Sequence, residues 1–427
     1  MELVVNQSRL AGAVSIPGSK SQTIRAVAVG ALAAGRSRIE APLASADTLA
    51  AVDAYRALGA SIERNDDSCW EVEGTGGRLT APPDVIDVRN SGTTLRIAAG
   101  SAALLDEGRA VFTGDAQIRR RPVAPLLGSL NDLGATTVST RNNGCAPVVI
   151  GGRLRGGTTR IEAVSSQYLT SLLLNCPLSD GTSEIHVPVL NEQPYVHMTL
   201  DWLARSDIAL ERDELKWFRI PGGQSYRPFD RRIPADFSSA TFFLGAGVLG
   251  DNDILLQGLD FADPQGDKAV VDYLHQMGAR ITREAEGLRV RPGTLTGCRL
   301  DLNATPDALP MMAVVGCFAR GRTELANVPQ ARFKETDRIA VMAEELGRMG
   351  ARISERPDGL VVEQSELRAA RVDGHDDHRI VMALAVAATA IPGSTRIAKA
   401  EAVQVTFPTF VQRMTELGGK LCLEGAA

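Results

Sequence analysis

Apolar and polar positions along the chain fall into a unit that recurs: an amphipathic helix, a Gly-Ala step, then an alternating strand. It reads RALGASIE around Gly59, NDLGATTV around Gly134, HQMGARIT around Gly278, GRMGARIS around Gly350 and TELGGKLCL around Gly418. The phase predicts one more copy near Ser206, where LARSDIALE lacks the glycine. Glycine suits a helix end because it tolerates the left-handed conformation that stops the helix. The copies are spaced roughly 70 residues apart, too long for a simple solenoid. Each has room for two helices and several short strands. The pattern predicts an α/β protein of two domains, three units each, with mixed sheets covered by helices. The break is expected at residues 220–236, where IPGGQSYRPFDRRIPADFSSA gathers Gly, Pro and Ser ahead of a helix starting near Ser238. A second crossing is expected near Gly18. Residues 1–17 read as a strand that could complete the last domain. The expected domains are therefore 18–235, and 1–17 together with 236–427.

Composition narrows the function. The 427 residues are 44% hydrophobic and 23% charged, with a formal net charge of -5. That is ordinary globular protein able to bury sizeable cores. No nucleic-acid partner is expected, and any anion site must be a local basic pocket. The six cysteines form no CxxC pair, which argues against a zinc ribbon and suggests reduced thiols. The first residues, MELVVNQSRLAGAV, lack a basic region followed by an apolar core. The longest apolar run, 380–391, is too short to span a bilayer. A soluble, cytoplasmic protein without a membrane partner is expected.

The polar signals sit where helices should begin. Residues 332–338, RFKETDR, precede apolar residues at helical spacing (Ile339, Met342, Leu346, Met349). This predicts Lys334, Glu335 and Arg338 in the first turn of a helix, on one face. Two cations there oppose the dipole preference for acids, unless an anion docks at the free N–H groups. A solvated charge ladder is the alternative. Lys20, Ser21 and Arg25 open an apolar helix that Ser19 or Ser21 could cap, in a loop lacking the first glycine of a nucleotide-binding motif. Arg89 to Arg96 contains Asn90 and Gly92, where the backbone could approach a ligand closely. Arg119, Arg120 and Arg121 are either a solvated patch or an oxyanion clamp. Ser165, Ser166 and Gln167 open another helix, Tyr195 follows a turn into the next, and Asp307 stands where it could simply cap a helix. His375, Asp376, Asp377 and His378 invite a metal reading, but their spacing fits no HExxH site. If the repeat aims these helix starts at one cleft between the domains, dipoles and arginines would trap small anionic ligands. Domain closure on ligand would follow from the Gly/Pro-rich joint.

Taken in order, PGSKSxxxR, NSGTTxR, RRRP, SSQ, KETDR and DHR resemble the motifs of 5-enolpyruvylshikimate-3-phosphate synthases, over essentially the whole chain. The resemblance implies that family's two-domain inside-out α/β barrel of six repeats. It implies transfer of the carboxyvinyl group of phosphoenolpyruvate to the 5-hydroxyl of shikimate 3-phosphate, the sixth step of the shikimate pathway. It implies no metal, no organic cofactor, and a monomer. Carried over by motif, Lys20, Ser21, Arg25, Ser165, Ser166, Gln167, Tyr195, Asp307, Gln330 and Lys334 look like shikimate 3-phosphate contacts. Lys20, Asn90, Gly92, Arg121, Gln167, Arg338 and Arg379 look like the phosphoenolpyruvate side. Asp307 resembles the base for the 5-hydroxyl proton, and Glu335 with Lys20 the acid that protonates the vinyl carbon.

The sequence departs from the family in places. Glu192 stands where many members have serine near the sugar phosphate; an acid facing a phosphate would repel it, so Glu192 is expected to point away. Val405 replaces a lysine of one branch, and Gln330 an asparagine of some members. Three rivals remain. The sister transferase acting on UDP-N-acetylglucosamine carries a cysteine in the loop that here spans 114–122 and has none. A paralogue could use another cyclic alcohol. A non-catalytic anion-binding protein could share the scaffold. Gly92 leaves room for glyphosate, so inhibition competing with phosphoenolpyruvate is expected.

Overall fold

The computed structural model describes residues 1–66 and 68–425. The chain divides into two compact units, Gly18–Pro234 and Met1–Pro17 with Ala235–Ala427, called here the N-terminal and C-terminal units. Among the described residues the strands form six sheets of four. Each sheet has one parallel edge pairing followed by two antiparallel pairings. In the N-terminal unit, for example, Gly157–Ala163 runs parallel to Ser183–Leu190, which pairs antiparallel with Trp217–Ile220 and through it with Glu211–Asp213. No ladder closes on itself, so the barrel of the expected architecture is not a hydrogen-bonded one. The first strands belong to sheets of the C-terminal unit. Glu2–Asn6 lies between Ser394–Ala398 and Lys420–Glu424, and Ala11–Ser15 runs parallel to Asp253–Gln257.

The helices come two per repeat. In the N-terminal unit they are α1 (Lys20–Leu32), α2 (Ala46–Ala57), α3 (Gly92–Ala102), α4 (Ala124–Asp132), α5 (Ser166–Asn175) and α6 (Gln193–Arg205). In the C-terminal unit they are α7 (Phe237–Gly247), α8 (Ala269–Met277), α9 (Leu309–Phe318), α10 (Arg338–Arg348), α11 (His378–Thr389) and α12 (Phe410–Glu416). The odd-numbered helices are buried almost throughout, and α7, α9 and α11 are apolar on nearly all sides. Only a helix surrounded by protein tolerates that composition. Accordingly, α3 packs on α1 and α5, while α7, α9 and α11 pack on one another. Even-numbered helices such as α10 keep an apolar stripe inward and a charged face outward.

The recurring glycines do what the pattern required. Gly59, Gly134, Gly278, Gly350 and Gly418 have φ between 94° and 105°. At the copy without glycine, α6 ends at Ser206, and Asp207 takes the left-handed conformation with φ 56°. Aspartate is among the few other residues that visit it.

Two core thiols are chemically quiet. Burial pushes Cys176 and Cys317 up to about 12, so neither forms thiolate near neutrality. Alkylation of the native protein at pH 8 is expected to modify exposed Cys422 and to spare Cys176 and Cys317 until denaturant is added, as read by peptide mass mapping.

Candidate active site

The buried helices carry the polar motifs at their N-termini, and within each unit those ends meet. In the N-terminal unit Ser19 caps α1, accepting from Gln22 N. Lys20, the first residue of α1, pairs with the buried Asp47 of α2 at 3.1 Å. Asp47 carried no motif and was not foreseen. Arg25, also buried, binds the Ser21 carbonyl (2.9 Å), Thr199 Oγ1 (3.0 Å), Thr170 Oγ1 (3.3 Å) and the Tyr195 carbonyl (2.9 Å). It thereby ties α1 to α5 and α6. Gln167 donates to Thr93 Oγ1 at 3.1 Å, joining α5 to α3.

Of the three consecutive arginines, Arg119 and Arg120 are exposed and Arg121 is buried. The solvated patch and the clamp thus coexist in one motif. Arg121 lies hard against Gly92: a Cβ added there would stand 2.7 Å from Arg121 Nη1 and 2.6 Å from Arg96 Nη1. Arg96 is buried and donates to the Gly92 and Pro122 carbonyls. Burial, and then the charge of Arg121, lower its pKa, opposed by Tyr168 and Glu192. Asn90 is held by Asp115 (2.6 Å) and Gln117 (2.5 Å). Its Oδ1, like Gln167 Oε1, is a buried acceptor with no donor among the described residues.

Glu192 is 2% exposed, in left-handed backbone with φ 57° at the start of α6. It accepts from Ser166 Oγ at 2.8 Å and Ser166 N at 3.2 Å, at the first residue of α5. Ser165 caps the same helix, accepting from Gln167 N.

In the C-terminal unit the arrangement is a charge knot. Asp307 lies in a 3-10 turn, Pro306–Ala308, ahead of α9. Its carboxylate faces Arg338 Nη1 at 2.8 Å, Arg379 Nη2 at 3.0 Å and Lys334 Nζ at 3.8 Å. It is therefore no mere helix cap. Arg379, at the start of α11, also donates to Ser238 Oγ of α7. Arg338 is the centre. With its side chain 1% exposed it binds Asp307, Glu335 Oε2 (2.6 Å) and Asp377 Oδ2 (2.7 Å). Burial alone would lower its pKa; Asp377, Glu335 and Asp307 together outweigh this and hold it above the ordinary guanidinium value. Its buried positive charge is thus matched by three carboxylates.

The expected first-turn placement of Lys334 and Glu335 is corrected. Residues Pro329–Phe333 form a 3-10 turn, and α10 begins only at Arg338. Asp337 is the N-cap, its side chain accepting from Ala340 N at 3.0 Å. A strong cap outweighs the apolar periodicity that made the helix look longer. The Glu335–Arg338 pair forms all the same. Gln330 is buried and donates to the Asn303 carbonyl. Val405 closes a 3-10 turn, Ala400–Val405. Of the histidine-rich stretch, His375 Nε2 sits 2.8 Å from buried Glu345, with Glu344 nearby. Arg348 pairs with both glutamates and offsets part of their charge. No helix among the described residues is long and apolar enough to cross a membrane.

A family model described as EPSP synthase (3-phosphoshikimate 1-carboxyvinyltransferase) matches residues 4–414. A relative of that name from Acetivibrio thermocellus is 53% identical over 421 residues, covering 99% of each chain. Another, from Ruminiclostridium cellulolyticum, is 50% identical with the same coverage. Among solved structures, the EPSP synthase of Acinetobacter baumannii superposes with a TM-score of 0.82 at 27% identity, over 99% of this chain and 100% of that one. Motif order, sixfold architecture and full-length likeness agree, and the chain belongs to the EPSP synthase family.

Proposed function

We propose that this protein transfers the enolpyruvyl (carboxyvinyl) group of phosphoenolpyruvate to the 5-hydroxyl of shikimate 3-phosphate, releasing phosphate. The observation that carries the reading is the knot around Asp307, in which one carboxylate faces Lys334, Arg338 and Arg379 while a second, Glu335, is held by the same Arg338. Two carboxylates among these cations supply the base and the acid that proton transfer requires.

In this reading Asp307 accepts the proton of the 5-hydroxyl as its oxygen attacks C2 of phosphoenolpyruvate. Glu335 and Lys20 deliver a proton to C3, giving a tetrahedral adduct. The C–O bond to phosphate then breaks while the same pair takes a proton back from C3, restoring the vinyl group. Acid and base exchange roles between the two steps. Arg338 holds Asp307 and Glu335 in place and contacts phosphoenolpyruvate. The anionic groups of phosphoenolpyruvate fall to Arg121 and Arg379, with Asn90, Gly92 and Gln167 beside them. Lys20, Ser21, Arg25, Ser165, Ser166, Tyr195, Gln330 and Lys334 attend to shikimate 3-phosphate.

Phosphate release tests this. Release is expected with phosphoenolpyruvate and shikimate 3-phosphate, and none with UDP-N-acetylglucosamine or without acceptor. Silence with shikimate 3-phosphate, in folded protein, would leave the paralogue or the non-catalytic binder. Gly92 gives a finer prediction. Gly92→Ala forces its Cβ into the Arg121 guanidinium, so KM for phosphoenolpyruvate should rise about tenfold, the scale of a modest overpacking penalty. KM for shikimate 3-phosphate should move far less. Glyphosate should compete with phosphoenolpyruvate in the unaltered protein, and steady-state inhibition patterns check both points.

A further inference from the structure

We infer that Glu192 is an internal competitor for the acceptor's phosphate, setting how tightly this enzyme holds its phosphorylated substrate. The inference rests on the proposed function, which gives Ser165 and Ser166 to shikimate 3-phosphate, and takes the phosphate as the group they hold. The N-terminus of α5 favours an anion by construction: first-turn backbone N–H groups and the positive end of the dipole point there. In this protein an anion already occupies it. The Glu192 carboxylate takes both the N–H and the hydroxyl of Ser166, the two donors a phosphate oxygen would use. It is delivered from the start of α6 by a non-glycine residue in left-handed backbone. Such a conformation is unfavourable for glutamate and is kept only where the contacts it permits outweigh it. The side chain is buried and close enough to Arg96 to support that residue's charge. Cations assembled around α5 are therefore already partly matched before substrate arrives.

A dianionic phosphate must displace this carboxylate or bind beside it with fewer donors and against its charge. Either way, apparent affinity falls by the fraction of molecules in which Ser166 is occupied. Glu192 is thus a specificity-determining residue that weakens the enzyme's hold on the phosphorylated acceptor. An acceptor without phosphate would escape that penalty.

Two variants test this. Glu192→Gln keeps the shape and removes the charge. Glu192→Asn is too short to reach Ser166 in the same way, and asparagine tolerates left-handed backbone. Both should lower KM for shikimate 3-phosphate by about tenfold, as expected when a charged hydrogen-bonding competitor is removed. KM for phosphoenolpyruvate should not follow. Calorimetric titration with inorganic phosphate should show tighter binding to both variants than to the unaltered protein. If Glu192 only braces α5, the variants will raise KM for shikimate 3-phosphate or leave it unchanged, and phosphate affinity will not increase. That result overturns the inference. If the unaltered protein releases no phosphate with shikimate 3-phosphate, the proposed function fails instead. The phosphate titration still decides the role of Glu192.

Discussion

Arg338→Met is expected to destabilise the protein by about 3–5 kcal/mol, the usual cost of removing one partner from a buried ion cluster. The guanidinium bridges Asp307, Glu335 and Asp377 with its side chain 1% exposed. Without it, three carboxylates crowd a site in which Arg379 and Lys334 still face Asp307. Methionine fills part of the volume, so the loss reports charge rather than a cavity. Arg338→Lys should recover only part of it, because one ammonium cannot present the same fork to three acceptors. Urea unfolding followed by circular dichroism gives the measure. Trp70, Trp202 and Trp217 all lie within Gly18–Pro234, so tryptophan fluorescence follows the N-terminal unit and should shift less. A dichroism midpoint unchanged in Arg338→Met would show that the knot contributes nothing to stability.

Asp307→Ala should cut kcat by about 10²–10⁴-fold, the range for loss of a general base. Asp307→Asn should do nearly the same, since the amide keeps the shape and cannot accept the proton. KM for phosphoenolpyruvate should change little or fall, because Arg379 loses a competing carboxylate. Steady-state kinetics of the two variants supply the test. A kcat within a few fold of the unaltered enzyme would remove Asp307 from proton transfer.

The fold was readable to the extent that it rests on local chemistry. A helix must stop, and stopping in left-handed backbone selects glycine, so five of the repeat boundaries announce themselves. The boundary held by Asp207 was visible only through the phase of the other five. Partnerships across the fold were not readable. Lys20 with Asp47, Arg338 with Asp377, and Ser166 with Glu192 are pairs that only the packing of neighbouring helices brings together. Asp47 and Asp377 look in the sequence like ordinary first-turn or capping acids. Glu192 was visible as a departure, but its partner was not. In the protein the carboxylate answers to the donors actually present, the N–H and hydroxyl of Ser166. The length of α10 was overread because apolar spacing says nothing of where a cap intervenes.

The central claim is that the vinyl carbon of phosphoenolpyruvate is protonated and then deprotonated while the acceptor is joined at C2. Turnover with shikimate 3-phosphate in deuterium oxide, followed by proton NMR of the vinyl hydrogens, tests it directly. The account predicts deuterium in the vinyl group of the product, appearing only when the acceptor is present. Full retention of both vinyl hydrogens through complete turnover would contradict it.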